Sequence, residues 1–326
     1  MEKRILLLIL SSVLILGGSF FLSAPILAAY PEKPVTIIVG YPPGGTMDVT
    51  ARTIAEAVKK YFPQPLAVVN RPGGGASIGA AEAIQAKPDG YTIGLTNLET
   101  LTFLPHRTKL PYGPPEGYTP IITVVANTVL IAVKSTSPWK TIQEFIAYAR
   151  ASPGKIRVAS SGIGTIQHLD LELLKATAKI NLHHVPFAGS SEVFPTLLGG
   201  HVEAMVSHPG NTLPYYQPGK VRVLAVFEKK RNPLFPDAPT FQEIGYDLTM
   251  DTVYVIFGPK GIPSEIVSIL HDALKKAMED PIFIKPMETK GFTVFYEGPQ
   301  ELKRRLRRDY EINAKFAADL LKTEGK

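Results

Sequence analysis

From residue 35 onward, short β-branched runs alternate with glycine-rich turns and helical segments, and this alternation limits the possible fold more than any other feature. Residues 35–39 are typical of a buried strand, residues 41–46 of a turn and residues 47–61 of a helix. The same pattern recurs over residues 66–86. Strands that alternate with helices imply βαβ crossovers and a parallel sheet, so the sequence predicts the α/β class.

Two β-rich runs divide the chain further. The run at residues 121–133 is long enough to cross from one structural unit into another, and a second run at residues 221–227 can lead back. Strands and helices alternate again between them. The sequence therefore predicts a first lobe made of residues 30–125 and 227–326, and a second lobe, residues 126–226, inserted into it.

Glycine-rich loops follow three of the predicted strands, at Gly44, Gly74 and Gly162. Each loop places backbone N–H groups at the start of a helix, where the helix dipole also favours an anion. Neither of the first two loops is a Walker sequence, and residues 73–79 miss the dinucleotide fingerprint by one position. Tight turns are the structural alternative for any single loop, but the recurrence at strand ends favours an anion-binding cleft.

Residues able to carry out catalysis or bind metal are scarce. The chain has no cysteine, which excludes disulfides, thiolate nucleophiles and cysteine-ligated metals. The histidines do not follow metal-ligand spacing, no Gly-x-Ser-x-Gly motif is present, and no general base is identified for the serines of residues 160–162. Asp48 lies in a first helical turn, four residues before Arg52, which stabilises its charged form and predicts a structural role. We therefore expect no catalytic residue, no metal and no cofactor.

Charge gives little support for a nucleic-acid partner. The formal net charge is +6 and is spread along the chain. The basic run at residues 303–308 is interspersed with acidic residues and follows an apolar stripe at helical spacing that includes Leu302 and Leu306. This pattern predicts the solvated face of a C-terminal helix, and we expect no binding to nucleic acid.

The N-terminal segment has the layout of an export signal. Two basic residues precede an apolar run at residues 5–16, and small residues follow it up to Ala28 and Ala29, where cleavage is expected. Residues 1–29 are therefore predicted to be a cleavable signal peptide of a periplasmic protein. The alternative is a retained membrane anchor, because the uncharged stretch that starts at residue 5 is long enough to span a bilayer.

An ordered set of motifs resembles a known family, the substrate-binding receptors of tripartite tricarboxylate transporters, also called the Bug (Bordetella uptake gene) family. Each motif alone is modest, but their order is specific and covers nearly all of residues 30–320. The motifs are Tyr-Pro-Pro-Gly-Gly-Thr-Met-Asp at 41–48, Asn-Arg-Pro-Gly-Gly-Gly-Ala at 70–76, Ser-Ser-Gly-Ile-Gly-Thr at 160–165, His-Val-Pro-Phe-Ala-Gly at 184–189, Leu-Leu-Gly-Gly at 197–200, Pro-Thr-Phe-Gln-Glu at 239–243 and Gly-Pro-Lys-Gly-Ile-Pro at 258–263.

The resemblance implies a two-lobed periplasmic-binding-protein architecture (type II, Venus flytrap), in which each lobe is a central sheet flanked by helices. It implies a small-molecule carboxylate ligand held between the lobes and delivered to the membrane permease subunits of a tripartite transporter. The ligand contacts carried over are Tyr41, Gly44, Gly45, Thr46, Thr96 and Asn97 from the first lobe, and Ser161, Gly162, Thr165, Phe187 and Gly189 from the second. Ser207 and His208 stand where the family often has an aspartate, and His208 can meet a second carboxylate.

Two other functions remain open from the sequence. A cleft enzyme on the same fold, a hydrolase or transferase, would use Ser161 and would need a general base near its hydroxyl. A ligand sensor would feed a signalling partner instead of a permease.

Overall fold

Eleven strands appear in the computed structural model, which describes residues 30–248 and 251–324. The predicted export segment, residues 1–29, lies outside the described residues. The strands are β1 Val35–Val39, β2 Leu66–Asn70, β3 Thr92–Asn97, β4 Tyr118–Asn127, β5 Leu130–Lys134, β6 Arg157–Ser160, β7 His183–Pro186, β8 Ala204–Ser207, β9 Val221–Val226, β10 Thr252–Pro259 and β11 Thr293–Val294.

Helices fill most of the segments between the strands. The α-helices are α1 Thr46–Ala57, α2 Ser77–Ile84, α3 Leu98–Thr102, α4 Ile142–Ala151, α5 Ile166–Ala178, α6 Ser190–Leu198, α7 Pro209–Tyr216, α8 Ser264–Glu279, α9 Pro281–Thr289 and α10 Pro299–Glu324. Short 3-10 turns occupy Val58–Lys60, Leu104–His106, Pro115–Gly117 and Gln242–Ile244. Within the part of the chain that is described, none of these helices has the length and apolar character needed to cross a membrane.

The strands form two mixed sheets, which confirms the predicted α/β class. The first sheet has six strands in the order β11-β4-β10-β3-β1-β2, and the second has five in the order β7-β6-β8-β5-β9. In the first, β1 runs parallel to both β2 and β3. In the second, β6 runs parallel to both β7 and β8. Each sheet therefore gathers the carboxyl ends of three parallel strands at one edge, where the predicted ligand loops begin.

We call the six-stranded sheet with its helices the first region, and the five-stranded sheet with its helices the second region. The chain passes from first to second between Asn127 and Leu130, and it returns between Val226 and Thr252. The β-rich run at residues 121–133, predicted to cross between structural units, thus contains parts of two strands in different sheets. Both regions belong to one compact body that spans Lys33–Lys326. The predicted division into two lobes that move separately stays a prediction.

Strand β5 shows why its first four residues are all apolar. Ile131 and Val133 contribute to the apolar cluster on one face of the second sheet, and Leu130 and Ala132 contribute to the cluster on the other face. A strand covered on both faces has no polar side, so alternation disappears from the sequence. Such strands are recognised from β-branched runs alone.

The start of α1 differs from the prediction. Residues 41–46 were predicted as a turn and residues 47–61 as a helix, but Gly45 is the N-cap, with an extended backbone, and Thr46 is the first helical residue. Gly44 adopts a positive φ of 80°, which tightens the turn and lets the helix begin one residue early. The Thr46 hydroxyl instead accepts a hydrogen bond from the Tyr254 hydroxyl at 3.1 Å.

Candidate ligand-binding site

A cavity lies where the carboxyl edges of the two sheets meet, and both regions line it. Its walls carry polar side chains and backbone loops, with few apolar groups. The lining residues are Tyr41, Thr46, Met47, Asn97, Thr252 and Tyr254 from the first region, and Ser161, Ile166, Gln167, Ser190 and His208 from the second.

The starts of four helices converge on this cavity. Helix α1 begins at Thr46, α5 at Ile166 and α6 at Ser190, and His208 is the N-cap of α7. No side chain caps α1, α6 or α7. Helix N-termini carry partial positive charge and unsatisfied N–H groups, so they attract anions. None of the lining residues is a lysine or an arginine. The attraction for an anion therefore comes from backbone dipoles.

Asp48 holds the loop that leads into α1. Its carboxylate accepts hydrogen bonds from the backbone N–H of Gly44 at 2.9 Å, from Arg52 Nε at 3.0 Å and from Asn70 Nδ2 at 2.9 Å. Burial alone would raise the pKa of Asp48, but these hydrogen bonds outweigh burial and the pKa lies below its usual value. The predicted Asp48–Arg52 pair and its structural role are confirmed.

Polar groups on the wall of the first region are bonded to one another. Tyr41 donates its hydroxyl proton to Asn97 Oδ1 at 2.9 Å, and Asn97 Nδ2 donates to Glu99 Oε2 at 2.9 Å. Thr252 Oγ1 also donates to Glu99 Oε2, at 2.8 Å. Burial raises the pKa of Tyr41 well above its usual value and that of Tyr254 to about 12, so both phenols keep their protons near neutral pH. This wall is fixed before any ligand arrives.

The second region contributes side chains that have no such partners. Among the described residues, no hydrogen bond is formed by the side chains of Ser161, Gln167 or Ser190. His208 Nδ1 lies 2.8 Å from the backbone carbonyl of Thr128, and a carbonyl only accepts, so Nδ1 carries the hydrogen. Burial lowers the pKa of His208 to about 4 against the opposing effect of this hydrogen bond. The ring is neutral near pH 7, and its Nε2 is an acceptor.

Five of the predicted ligand contacts meet in the cavity: Tyr41, Thr46, Asn97, Ser161 and His208. Others lie in the loops just outside it. Gly45 precedes α1 and Gly189 precedes α6, and a Cβ on Gly189 would lie 2.6 Å from the Pro42 ring of the first region. Gly44 donates to Asp48 as described above. Thr165 caps α5 by accepting from the N–H of His168.

The remaining predicted contacts lie elsewhere. Gly162 and Phe187 line a second, larger cavity, together with the glycine loop at Gly74. Thr96 is the next-to-last residue of β3 and Ser207 is the last residue of β8. Both are buried, and neither hydroxyl forms a hydrogen bond within the described residues. The three glycine loops therefore divide between two cavities, although all of them follow strand ends.

Six lining residues were missed by the sequence reasoning: Met47, Ile166, Gln167, Ser190, Thr252 and Tyr254. Four of these are first or second residues of α1, α5 or α6, so the rule that anions bind at helix N-termini would have found them. Thr252 and Tyr254 lie on β10, and no strand was assigned to residues 252–259. The apolar run there was the only available signal.

One of the serines of residues 160–162 has a histidine neighbour that the sequence analysis did not predict. No base was identified for the serines of residues 160–162, yet Ser160 Oγ lies 2.6 Å from His184 Nε2. Ser160 is 0% exposed and also contacts the backbone of Gly162, so its hydroxyl lies in the interior and outside both cavities. Ser161, the hydroxyl that does line the cavity, forms no hydrogen bond to a histidine among the described residues. The geometry therefore gives no activated nucleophile facing the cavity.

Comparison with known proteins gives a consistent result. The family described as "Tripartite tricarboxylate transporter family receptor" matches residues 50–316. A UPF0065 protein from Cupriavidus necator is 34% identical over 295 residues, which cover 90% of this chain and 86% of the relative. The periplasmic binding protein BugD is 31% identical, covers 89% of this chain and 98% of its own, and superposes with a TM-score of 0.84. MatC from Rhodopseudomonas palustris, solved with bound malate, is 27% identical over 88% of this chain and 100% of its own, with a TM-score of 0.83.

Proposed function

We propose the function of this chain from its family: it belongs to the receptors of tripartite tricarboxylate transporters, and its fold is that of the periplasmic binding proteins. Such a receptor works outside the cytoplasmic membrane. It captures a small organic carboxylate in the cavity between the two regions and delivers it to the membrane subunits of the transporter. The convergence of four helix N-termini on a cavity without lysine or arginine carries this proposal.

The ligand carboxylate fits best at α1. Gly45 leaves the amide groups of this N-terminus uncapped, and Asp48 fixes the loop before them. The hydroxyl groups of Tyr254 and Thr46 line the cavity, and Tyr254 already donates to Thr46, so these two side chains adjust little when a ligand binds. An anion held by fixed backbone donors needs no desolvated lysine or arginine.

The far end of the ligand meets the second region. Ser161, Gln167 and Ser190 supply polar groups whose hydrogen-bonding capacity is unused, and His208 supplies a ring nitrogen. These side chains suit a second carboxylate or a hydroxyl group. The malate bound to the related MatC has both. A di- or hydroxycarboxylate is thus the ligand class we propose.

Capture rather than catalysis fits the chemistry of the site. The related proteins are solute-binding proteins, and the cavity holds a serine without a neighbouring base. We propose that residues 30–125 with 227–326 and residues 126–226 act as the two lobes that close on the ligand. Residues 1–29 serve as the export signal in this proposal.

Thermal unfolding of ligand-free protein tests the function. We expect malate, citrate or adipate at about one hundred times its Kd to stabilise the fold by about 2.7 kcal/mol, which corresponds to a rise in Tm of roughly 5 °C. The uncharged diamide of malate is the matched control and should shift nothing. If no organic acid in a broad panel raises the Tm above the effect of its own amide, the proposal is wrong.

A further inference from the structure

Two buried carboxyl groups lie behind the cavity, one on each region, and neither has a role in the proposed function. Asp170 lies on α5 of the second region and is 0% exposed, and Glu99 lies on α3 of the first region and is 5% exposed. Carboxylates are rarely buried so completely without a cationic partner. No ion pair among the described residues involves either of them.

Asp170 is the more unusual of the two. Both of its carboxyl oxygens are buried without a hydrogen-bond partner in the described part of the chain. An ionised carboxylate in that environment would lose several kcal/mol of hydration energy with nothing in return. Burial, and then the negative charges of Glu99 and Asp251, raise the pKa of Asp170 well above its usual value.

Glu99 connects the pair to the ligand cavity. Its Oε2 accepts hydrogen bonds from Asn97 and Thr252, and both of these residues line the cavity. On the other side, Asp170 lies one turn after Gln167, which also lines the cavity. Burial raises the pKa of Glu99 above its usual value.

Packing of neighbouring side chains brings the two helices together. Leu169 of α5 shares a small apolar cluster with Phe103, one turn beyond Glu99, and with Ala317 of α10. Asp170 follows Leu169 directly. The contact between Leu169 and Phe103 therefore joins the second region to the first, and Asp170 and Glu99 each lie within about one helical turn of it.

The charges around the pair are mainly negative. Besides Asp251, Asp309 of α10 acts on Glu99, whereas the phenols of Tyr41 and Tyr254 feel the charge of Glu99 but stay uncharged themselves. The cations nearby are engaged elsewhere: Arg305 with Glu297, and Arg308 with Asp309. On α5 itself, Lys175 pairs with Glu172, and His168 lies within the electrostatic reach of Arg107 and Lys175.

We propose that Glu99 and Asp170 form a proton-dependent clasp: the two regions close fully only while this pair holds at least one proton. When the regions separate, water reaches both carboxyl groups and they ionise. Closure then takes up a proton, and a rise in pH opposes it. A clasp of this kind would make retention of a ligand in the cavity depend on the pH outside the membrane.

The sign of the effect follows from linkage. A carboxyl whose pKa is raised in the closed form adds stability below its ordinary pKa, and this stability is lost as the pH rises through the raised value. Wild-type closure should therefore weaken from about pH 5 to pH 9, with up to about a tenfold change in the closing equilibrium per pH unit and proton. Asp170→Asn mimics the protonated group and should remove much of this dependence.

Ligand-free protein suffices for the experiment, so its outcome is independent of the proposed ligand. Small-angle X-ray scattering and thermal unfolding are followed from about pH 5 to pH 9 for wild type, Asp170→Asn and Glu172→Gln. Glu172 is the matched control, because it is a buried carboxylate on the same helix with its own lysine partner. We expect wild type and Glu172→Gln to expand and lose about 3 °C or more in Tm towards high pH. Asp170→Asn should stay compact with a higher Tm at high pH.

Two results would overturn the clasp. The first is an Asp170→Asn protein that expands with pH as wild type does, or that has a lower Tm than wild type at high pH. The second is evidence that a metal cation, and not a proton, neutralises the pair. In that case sodium, magnesium or calcium chloride would keep the wild-type protein compact at high pH but would have no such effect on Asp170→Asn.

Discussion

At the residue scale, Asp48 and Asp170 show that the surroundings can shift the pKa of an aspartate carboxyl in either direction. Both are nearly inaccessible to solvent. Asp48 receives hydrogen bonds from a backbone amide, a guanidinium and a side-chain amide, and its pKa is lowered. Asp170 receives none within the described residues, and its pKa is raised. Burial is common to both, so the supply of donors decides the difference.

Asp48→Asn tests the frame of the first loop. The amide removes the charge and turns one acceptor into a donor that faces Arg52, Asn70 or the N–H of Gly44, so we expect a loss of about 2 kcal/mol in the free energy of unfolding. The contribution of the wild-type carboxylate is fully present above the ordinary aspartate pKa of about 3.9 and is lost as the pH falls through the lower folded-state value. Urea unfolding at neutral and acidic pH measures both effects.

Glu82→Gln is the control for this prediction. Glu82 pairs with Arg71 at 3.0 Å, but both side chains are about half exposed, at 45% and 49%. Exposed pairs contribute less than about 1 kcal/mol. Equal losses from the two substitutions would show that Asp48 acts only as one more surface charge.

At the scale of elements, the approach of the two regions depends on positions where a helix meets backbone without an intervening side chain. Gly210 is the second residue of α7, and a Cβ there would lie 2.3 Å from the backbone carbonyl of Lys290, at the end of α9. Helix α7 belongs to the second region, and helix α9 belongs to the first region. Only glycine, which has no Cβ, permits a contact this close, even if other residues could adopt the same backbone conformation.

We expect Gly210→Ala to leave folding unchanged while it weakens closure of the two regions. Alanine favours a helix over glycine by up to about 1 kcal/mol, so α7 should form normally and circular dichroism should be unchanged. The new methyl group collides with a carbonyl that has no rotamer to change, so we expect the affinity for the acid found by the thermal panel to fall by at least about tenfold, or 1.4 kcal/mol. Calorimetric titration measures the affinity.

Gly117→Ala provides the comparison for this substitution. Gly117 has no atom within 4 Å of its ideal Cβ position and does not adopt a positive φ. Its substitution should leave the affinity unchanged. If both variants bound the acid as wild type does, close contact between α7 and the end of α9 would not be needed for binding.

At the scale of the whole molecule, binding is shared between two sheets that meet at their carboxyl edges. A ligand that fills the cavity touches loops from both, although these loops are far apart in the chain. Under the proposed function, the free energy of binding also stabilises the closed arrangement of the regions. This coupling distinguishes a closing receptor from a site carried by one region.

Hydrogen exchange tests this coupling. We expect the ligand to slow exchange at the N-terminal amides of α1, α5, α6 and α7 together, because all four helix starts line one cavity. The amides of α4 and α8 begin away from the cavity and serve as internal controls. Protection confined to α1 would mean that the second region does not close over the ligand.

Local features of the fold were within reach of the sequence. Short β-branched runs and glycine turns located most strands and helices, because strand and helix periods are set by nearest neighbours. Strand β10 and helices α3, α7 and α9 were missed. Strand β10 is a central strand, between β3 and β4 in the sheet. Pairing with strands that are distant in the sequence therefore decides that this segment forms a strand.

The sequence by itself determined the α/β class, the loops at strand ends and the pairing of Asp48 with Arg52, since each depends on residues close together in the chain. It also carried the resemblance to the receptor family through motifs in a fixed order. Only the tertiary structure decided that four helix starts share one cavity, that Gly162 and Phe187 line another, and that Ser160 meets His184. It alone placed Leu169, the neighbour of Asp170, against Phe103. These contacts join residues that are tens to hundreds of positions apart in the chain. The periodicity of the sequence is a local property, so it does not predict which sheet edges will meet.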